Sequence, residues 1–92
     1  MITRDTIARH ELIGLDTHVV ESSNLQLVGL NGRVINETKS MITINTKKGK
    51  KMIPKLTSNL KFFIKGESIV VKGSSIVKRP FERIGAKAWL ET

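Results

Sequence analysis

The sequence predicts a mainly β protein: a small antiparallel sheet of five to six strands that curls toward a barrel, with short flanking N- and C-terminal helices. Three observations lead there. Short alternating or β-branched runs recur at regular spacing between residues 18 and 78, separated by turn residues. Helix-like spacing is confined to the two ends. The whole chain has 92 residues, one domain's worth, too few to cover both faces of a flat sheet.

The N-terminal helix is predicted over 3–13. Thr3 can cap it, Asp5 sits in the first turn where the helix dipole favours an anion, Ile7, Leu12 and Ile13 form an apolar stripe, and Gly14 ends it. The barrel is predicted over 18–78. Its first strand is His18–Ser22, broken by Ser23-Asn24, and Leu25–Val28 reads as either strand or loop. Gly29–Gly32 signals a bend or bulge, Arg33–Thr38 a strand, and Lys39-Ser40 a two-residue turn. Met41–Thr46 alternates with Ile42 and Ile44 on one face. Lys47–Lys50 is a hairpin loop in which Gly49 supplies positive φ, and Lys51–Ile53 is the return strand, ended by Pro54. Thr57–Asn59 reads as a break, Lys61–Ile64 as a strand, Lys65–Glu67 as a turn and Ser68–Lys72 as a strand. After Gly73-Ser74-Ser75 a last short strand, Ile76–Lys78, is expected. Pro80 then opens a C-terminal helix over 80–89, with Glu82 near its start.

Charge is concentrated in the middle. Residues 1–37 sum to −2 and residues 67–92 to +2, so the net +8 is supplied by residues 38–66, which hold eight lysines and no acid. A block of one sign attracts a polyanion, whereas a face that only keeps a protein soluble mixes signs. Lys47, Lys48, Lys50 and Lys51 crowd the hairpin, with Lys39 and Lys55 nearby in sequence. Arg79, Arg83 and Lys87 form a second cluster at i, i+4, i+8.

Catalytic signatures are sparse. The sequence has no cysteine, so disulfides and thiolate metal sites are excluded. His10 and His18 do not share a helical face or a zinc-binding spacing. The acids are scattered; Glu37, beside Lys39, is the one that an independent metal-dependent nuclease would use, and its plainer role is pairing with a lysine on the sheet surface. No glycine-rich nucleotide loop occurs, and no run reaches the ~18 apolar residues of a membrane span. These features are those of a cytoplasmic protein without a membrane partner. The aromatics are few: Phe62, Phe63, Phe81 and Trp89. Adjacent Phe62 and Phe63 send one ring inward and one outward, where it can stack or cover a partner. The scarcity favours contact with phosphates and the shape of a structured RNA over base-by-base reading. It also disfavours a peptide-binding groove.

Several blocks, in order, carry a family resemblance: His10-Glu11-Leu12-Ile13-Gly14-Leu15; Gly32-Arg33-Val34-Ile35-Asn36-Glu37-Thr38-Lys39; Ile53-Pro54-Lys55; Val71-x-Gly73; and Arg79-Pro80-x-x-Arg83-Ile84. Together they resemble the archaeal ribonuclease P protein component 1 family, related to the eukaryotic Pop4 subunit, over about residues 4–85. The resemblance implies an Sm- or SH3-like barrel. It implies a non-catalytic RNA-binding subunit of the enzyme that removes the 5′ leader from precursor tRNA. The chemistry then belongs to the RNA subunit and its Mg2+, and this chain binds no cofactor of its own. The implied partners are ribonuclease P RNA, precursor tRNA through the holoenzyme, and another small zinc-binding protein subunit. Lys39, Lys47, Lys48, Lys50, Lys51, Lys55, Arg79 and Arg83 are the expected RNA contacts; the block 4–20 and the C-terminal helix, made more apolar by Phe81 and Trp89, are the expected protein contacts. The alternatives are another basic β-barrel RNA binder of ribosomal or Sm-like type, and the nuclease built on Glu37.

Overall fold

In the computed structural model, which describes residues 11–78, six strands form one antiparallel sheet: β1 (Asp16–Ser22), β2 (Asn31–Glu37), β3 (Met41–Thr46), β4 (Gly49–Pro54), β5 (Ser58–Ile64) and β6 (Glu67–Lys72). The order across the sheet is β4-β3-β2-β1-β5-β6. Alternation places the strands. In β5, Ser58, Leu60, Phe62 and Ile64 are buried while Asn59, Lys61 and Phe63 between them are only half-buried. In β3, Ile42 and Ile44 are fully buried and pair with Ile53 and Lys51 of β4.

The sheet curls. Ile42, Ile44 and Ile53 from one end of the strand order and Leu60, Phe62 and Val71 from the other belong to a single core cluster, which a flat sheet could not assemble. Two register shifts assist: one in β1 between Val19 and Glu21 and one in β2 between Val34 and Asn36, each adding a residue and with it extra bend and twist. Full burial of side chains the size of Phe62 and Ile42 stabilises by about 1.5–3 kcal/mol each, and Leu12 and Ile76 close the core from either side of the strands.

Each hairpin is set by its turn chemistry. In β3–β4, Thr46 pairs with Gly49, so the loop is Lys47-Lys48 alone. The Thr46 hydroxyl accepts from the Lys48 N–H at 3.1 Å and donates to the Gly49 carbonyl at 2.7 Å, and Gly49 has φ +105°, the conformation that lets a return strand follow a type I turn. Lys39-Ser40 is a tight turn, closed by the Thr38 N–H on the Met41 carbonyl. In β5–β6 both loop residues, Lys65 (φ +49°) and Gly66 (φ +82°), are left-handed, as in a type I′ turn.

Several expectations change. The break expected at Thr57–Asn59 is shorter, because Ser58 and Asn59 already belong to β5; Ser58 is buried and its hydroxyl bonds that of Ser22 at 3.0 Å, which keeps a polar residue inside a strand. Leu25–Leu27 is a 3-10 turn, capped by the Asn24 side chain accepting from the Gln26 N–H. The expected strand at Ile76–Lys78 is replaced by a second 3-10 turn, Gly73–Ile76. A Cβ on Gly73 would sit 1.8 Å from the Lys55 carbonyl oxygen, so only glycine lets that turn pack against the end of β4. The N-terminal helix predicted over 3–13 lies outside the described residues up to residue 10. Its end, Leu12–Leu15, is a tight turn closed by the Leu15 N–H on the Leu12 carbonyl, with Gly14 in the left-handed position. The C-terminal helix predicted over 80–89 also lies outside the described residues. Among the described residues no helix is long and apolar enough to cross a membrane.

Candidate nucleic-acid interface

The lysine block divides into places that the linear sequence merges. Lys47 and Lys48 are exposed at the β3–β4 tip, and Lys50 follows on the outer face, opposite Asn45. Lys51 is half-buried and shares the inward parity of Ile53, so it flanks the core rim beside its three neighbours. Lys39, also exposed, lies in the β2–β3 turn at the other end of β3, separated from the tip by about 17 Å of extended strand. Arg79 and Arg83 lie outside the described residues.

Lys55 is not a surface contact. Its side chain is completely buried, and the ammonium donates to the Glu37 carboxylate at 2.7 Å, to the Thr38 carbonyl at 2.7 Å and to the Lys78 carbonyl at 3.0 Å. A wholly buried lysine with its ammonium directed at these three oxygens cannot also neutralise phosphate. Glu37 is corrected with it: its partner is Lys55, eighteen residues away, and the pair is internal, with the Glu37 side chain wholly buried, and not on the sheet surface. That carboxylate is turned away from any surface metal, and among the described residues no three His, Asp or Glu side chains converge as a metal site. The buried pair does organise the surface. It brings the backbones of Thr38 and Lys78 to one point, so exposed Lys39 and Lys78 rise from the same end of the molecule.

A further group lies on the outer face. Phe62 is fully buried and Phe63 is the outward ring. His18 packs on Phe63 edge to face, with centroids 5.1 Å apart, and the Lys61 ammonium lies 5.5 Å from the Phe63 centroid. Asp16 and Arg33, cross-strand neighbours on the same face, form an exposed ion pair at 3.5 Å. Cross-strand pairing assembles the group: Asp16 opposes Phe63 and His18 opposes Lys61. The sequence signals that could have found it were the outward parity of Phe63 and the lone His18 at a strand start.

A small curled antiparallel sheet, with cations at two ends and an aromatic–cation group on its outer face, has the build of a compact β domain that meets a polyanion. Comparison narrows the class: the chain belongs to the ribonuclease P/MRP subunit p29 family, whose model matches residues 5–86. It is 60% identical over 88 residues to ribonuclease P protein component 1 of Nitrosopumilus maritimus, covering 96% of this chain and all of that one. It is 39% identical over 88 residues to the Methanocaldococcus jannaschii protein of the same name, covering 95% of this chain and 93% of that one. Among solved structures it is similar to Mth11, described as a homologue of the human RNase P protein Rpp29, with TM-score 0.61 and 35% identity over 82% of this chain and 99% of that one.

Proposed function

We propose that this chain is the RNA-binding protein subunit of a ribonuclease P, supporting removal of the 5′ leader from precursor tRNA by a catalytic RNA. The observation that carries the reading is the near full-length match to proteins named as ribonuclease P protein component 1. The acid-free lysine block, exposed at the β3–β4 tip, supplies the physical means. Lys47, Lys48, Lys50 and Lys51 contact phosphates from the tip. Lys39 forms a second contact at the opposite end, and Arg79 and Arg83 are further RNA contacts. Lys55 supports that second contact from inside. The chain works in the cytoplasm beside a small zinc-binding subunit, docked through the block 4–20 and the C-terminal segment, and corresponds to the eukaryotic Pop4 subunit; the residue blocks from His10 to Ile84 support this kinship. The Mg2+ of the reaction is held by the RNA, and this chain contributes binding and no reacting group.

The test is a salt titration of binding to ribonuclease P RNA. Every phosphate that the Lys47/Lys48/Lys50/Lys51→Ala variant no longer neutralises lowers the log–log slope by about 0.7–0.9. Unchanged affinity and slope would show that the tip does not touch the RNA.

A further inference from the structure

The geometry points to a seat for one unpaired RNA base on the outer face, built on His18 and Phe63. This inference rests on the RNA-binding reading above and adds to it a contact made with a base instead of a phosphate.

The residues form an open cleft of about 380 Å³ whose walls include Asp16, His18, Asn31 and Phe63. Its floor is Phe63, half-buried in β5, and its side is the exposed imidazole of His18, set at 65° to that ring. An exposed imidazole against an aromatic ring offers a π-face to a base that has left its stack, and such stacking tolerates any base. Lys61 now rests on Phe63 through a cation–π contact and is within reach of the phosphate that a seated nucleotide would bring. Asp16 adds a selective element. Its Oδ1 is paired with Arg33 at 3.5 Å, and a carboxylate only accepts hydrogen bonds, so its other oxygen favours a base with an exocyclic amino group, which cytosine carries and uracil lacks.

A second cleft, on the side of the lysine tip, adjoins this seat. It measures about 280 Å³, is lined by Leu30, Asn31, Lys47 and Lys48, and shares Asn31 with the first. Asn31 thus separates the tip lysines from His18 and Phe63, so a strand whose phosphates meet Lys47 and Lys48 has the seat next to it. Cations over a backbone path and an aromatic pair at its end are the two parts that single-stranded RNA sites combine.

The experiment compares full-length Phe63→Leu, His18→Ala and His18→Phe proteins in binding to ribonuclease P RNA across a salt series, with thermal melts as folding controls. The seat predicts about 5- to 100-fold weaker binding for Phe63→Leu and His18→Ala, near-parental binding for His18→Phe, and an unchanged salt slope for Phe63→Leu. His18 is exposed, so His18→Ala reports even where Phe63→Leu perturbs the sheet. Parental affinity of both variants, with the tip variant still weakened and its slope lowered, overturns the seat and leaves the RNA-binding reading standing. Parental affinity and slope in all variants, tip included, overturn the seat and the tip contact together, and failure of the parental protein to bind the RNA overturns the RNA-binding reading itself. Ultraviolet crosslinking of the complex should attach RNA to the peptide holding His18 or Phe63, and its attachment only elsewhere counts against the seat. Oligocytidine should compete better than oligouridine, and Asp16→Ala should abolish the difference; equal competition against the parent protein removes Asp16 from the site.

Discussion

The Lys55 ammonium and the Glu37 carboxylate meet at 2.7 Å with both side chains wholly shielded from water. Removing one partner takes this contact from a charge that stays buried, and breaking a buried pair in that way costs about 3–5 kcal/mol. Lys55→Met and Glu37→Gln should each lose stability on that scale in urea denaturation. The double Lys55→Met/Glu37→Leu variant should recover much of the loss, because it removes both charges of the pair together. A single variant that melts like the parent would mean that the pair contributes nothing.

Gly73 lies where a methyl group would overlap the Lys55 carbonyl, 1.8 Å from its position. Gly73→Ala should therefore push the 3-10 turn away from the end of β4 and lower the unfolding free energy measured in urea by more than the ~1 kcal/mol typical of a point substitution. Amide exchange should accelerate around Gly73–Ile76 while the β3–β4 hairpin stays protected. Acceleration confined to that hairpin would contradict the packing.

Lys65 occupies a left-handed conformation that costs a non-glycine residue about 1–2 kcal/mol, and asparagine tolerates it better. Lys65→Asn should stabilise the fold by about 0.5–1 kcal/mol, raising Tm by several degrees for a chain of this size. A lower Tm would rule out the type I′ assignment.

Lys39 and the Lys47-Lys48 tip stand at opposite ends of β3. Their effects on RNA affinity should add: the free-energy loss of the Lys39→Ala/Lys47→Ala/Lys48→Ala protein should equal the sum of the separate losses within about 0.5 kcal/mol. A strongly non-additive result from binding isotherms would place them on one phosphate cluster.

What the sequence made legible follows from how local each signal is. Met41–Thr46 announces itself by alternation, Lys61–Ile64 by a short apolar run between turn residues, and the tip by a glycine among lysines. Ser58 and Asn59 look like a break because their polarity is visible locally, whereas the Ser22 hydroxyl that accommodates Ser58 comes from a strand 36 residues away. Lys55 fails for the same reason: it sits in a run of lysines and reads as one more surface charge, and only the pairing of β2, β3 and β4 brings Glu37 against it. The His18–Phe63 pair joins residues from distant parts of the chain, and strand register is its only cause. Spacing along the chain reveals elements and their faces; it does not reveal which faces meet.

The Lys78 carbonyl held by Lys55 has a mechanical meaning. Lys78 is a moored point, and the mooring is the same ammonium that ties down Glu37 and the Thr38 carbonyl. Any partner that grips the chain beyond residue 78 pulls, through one buried nitrogen, on the turn that carries Lys39. Tension at the C-terminal tail and the pose of a basic turn far earlier in the chain are thus linked by a single knot.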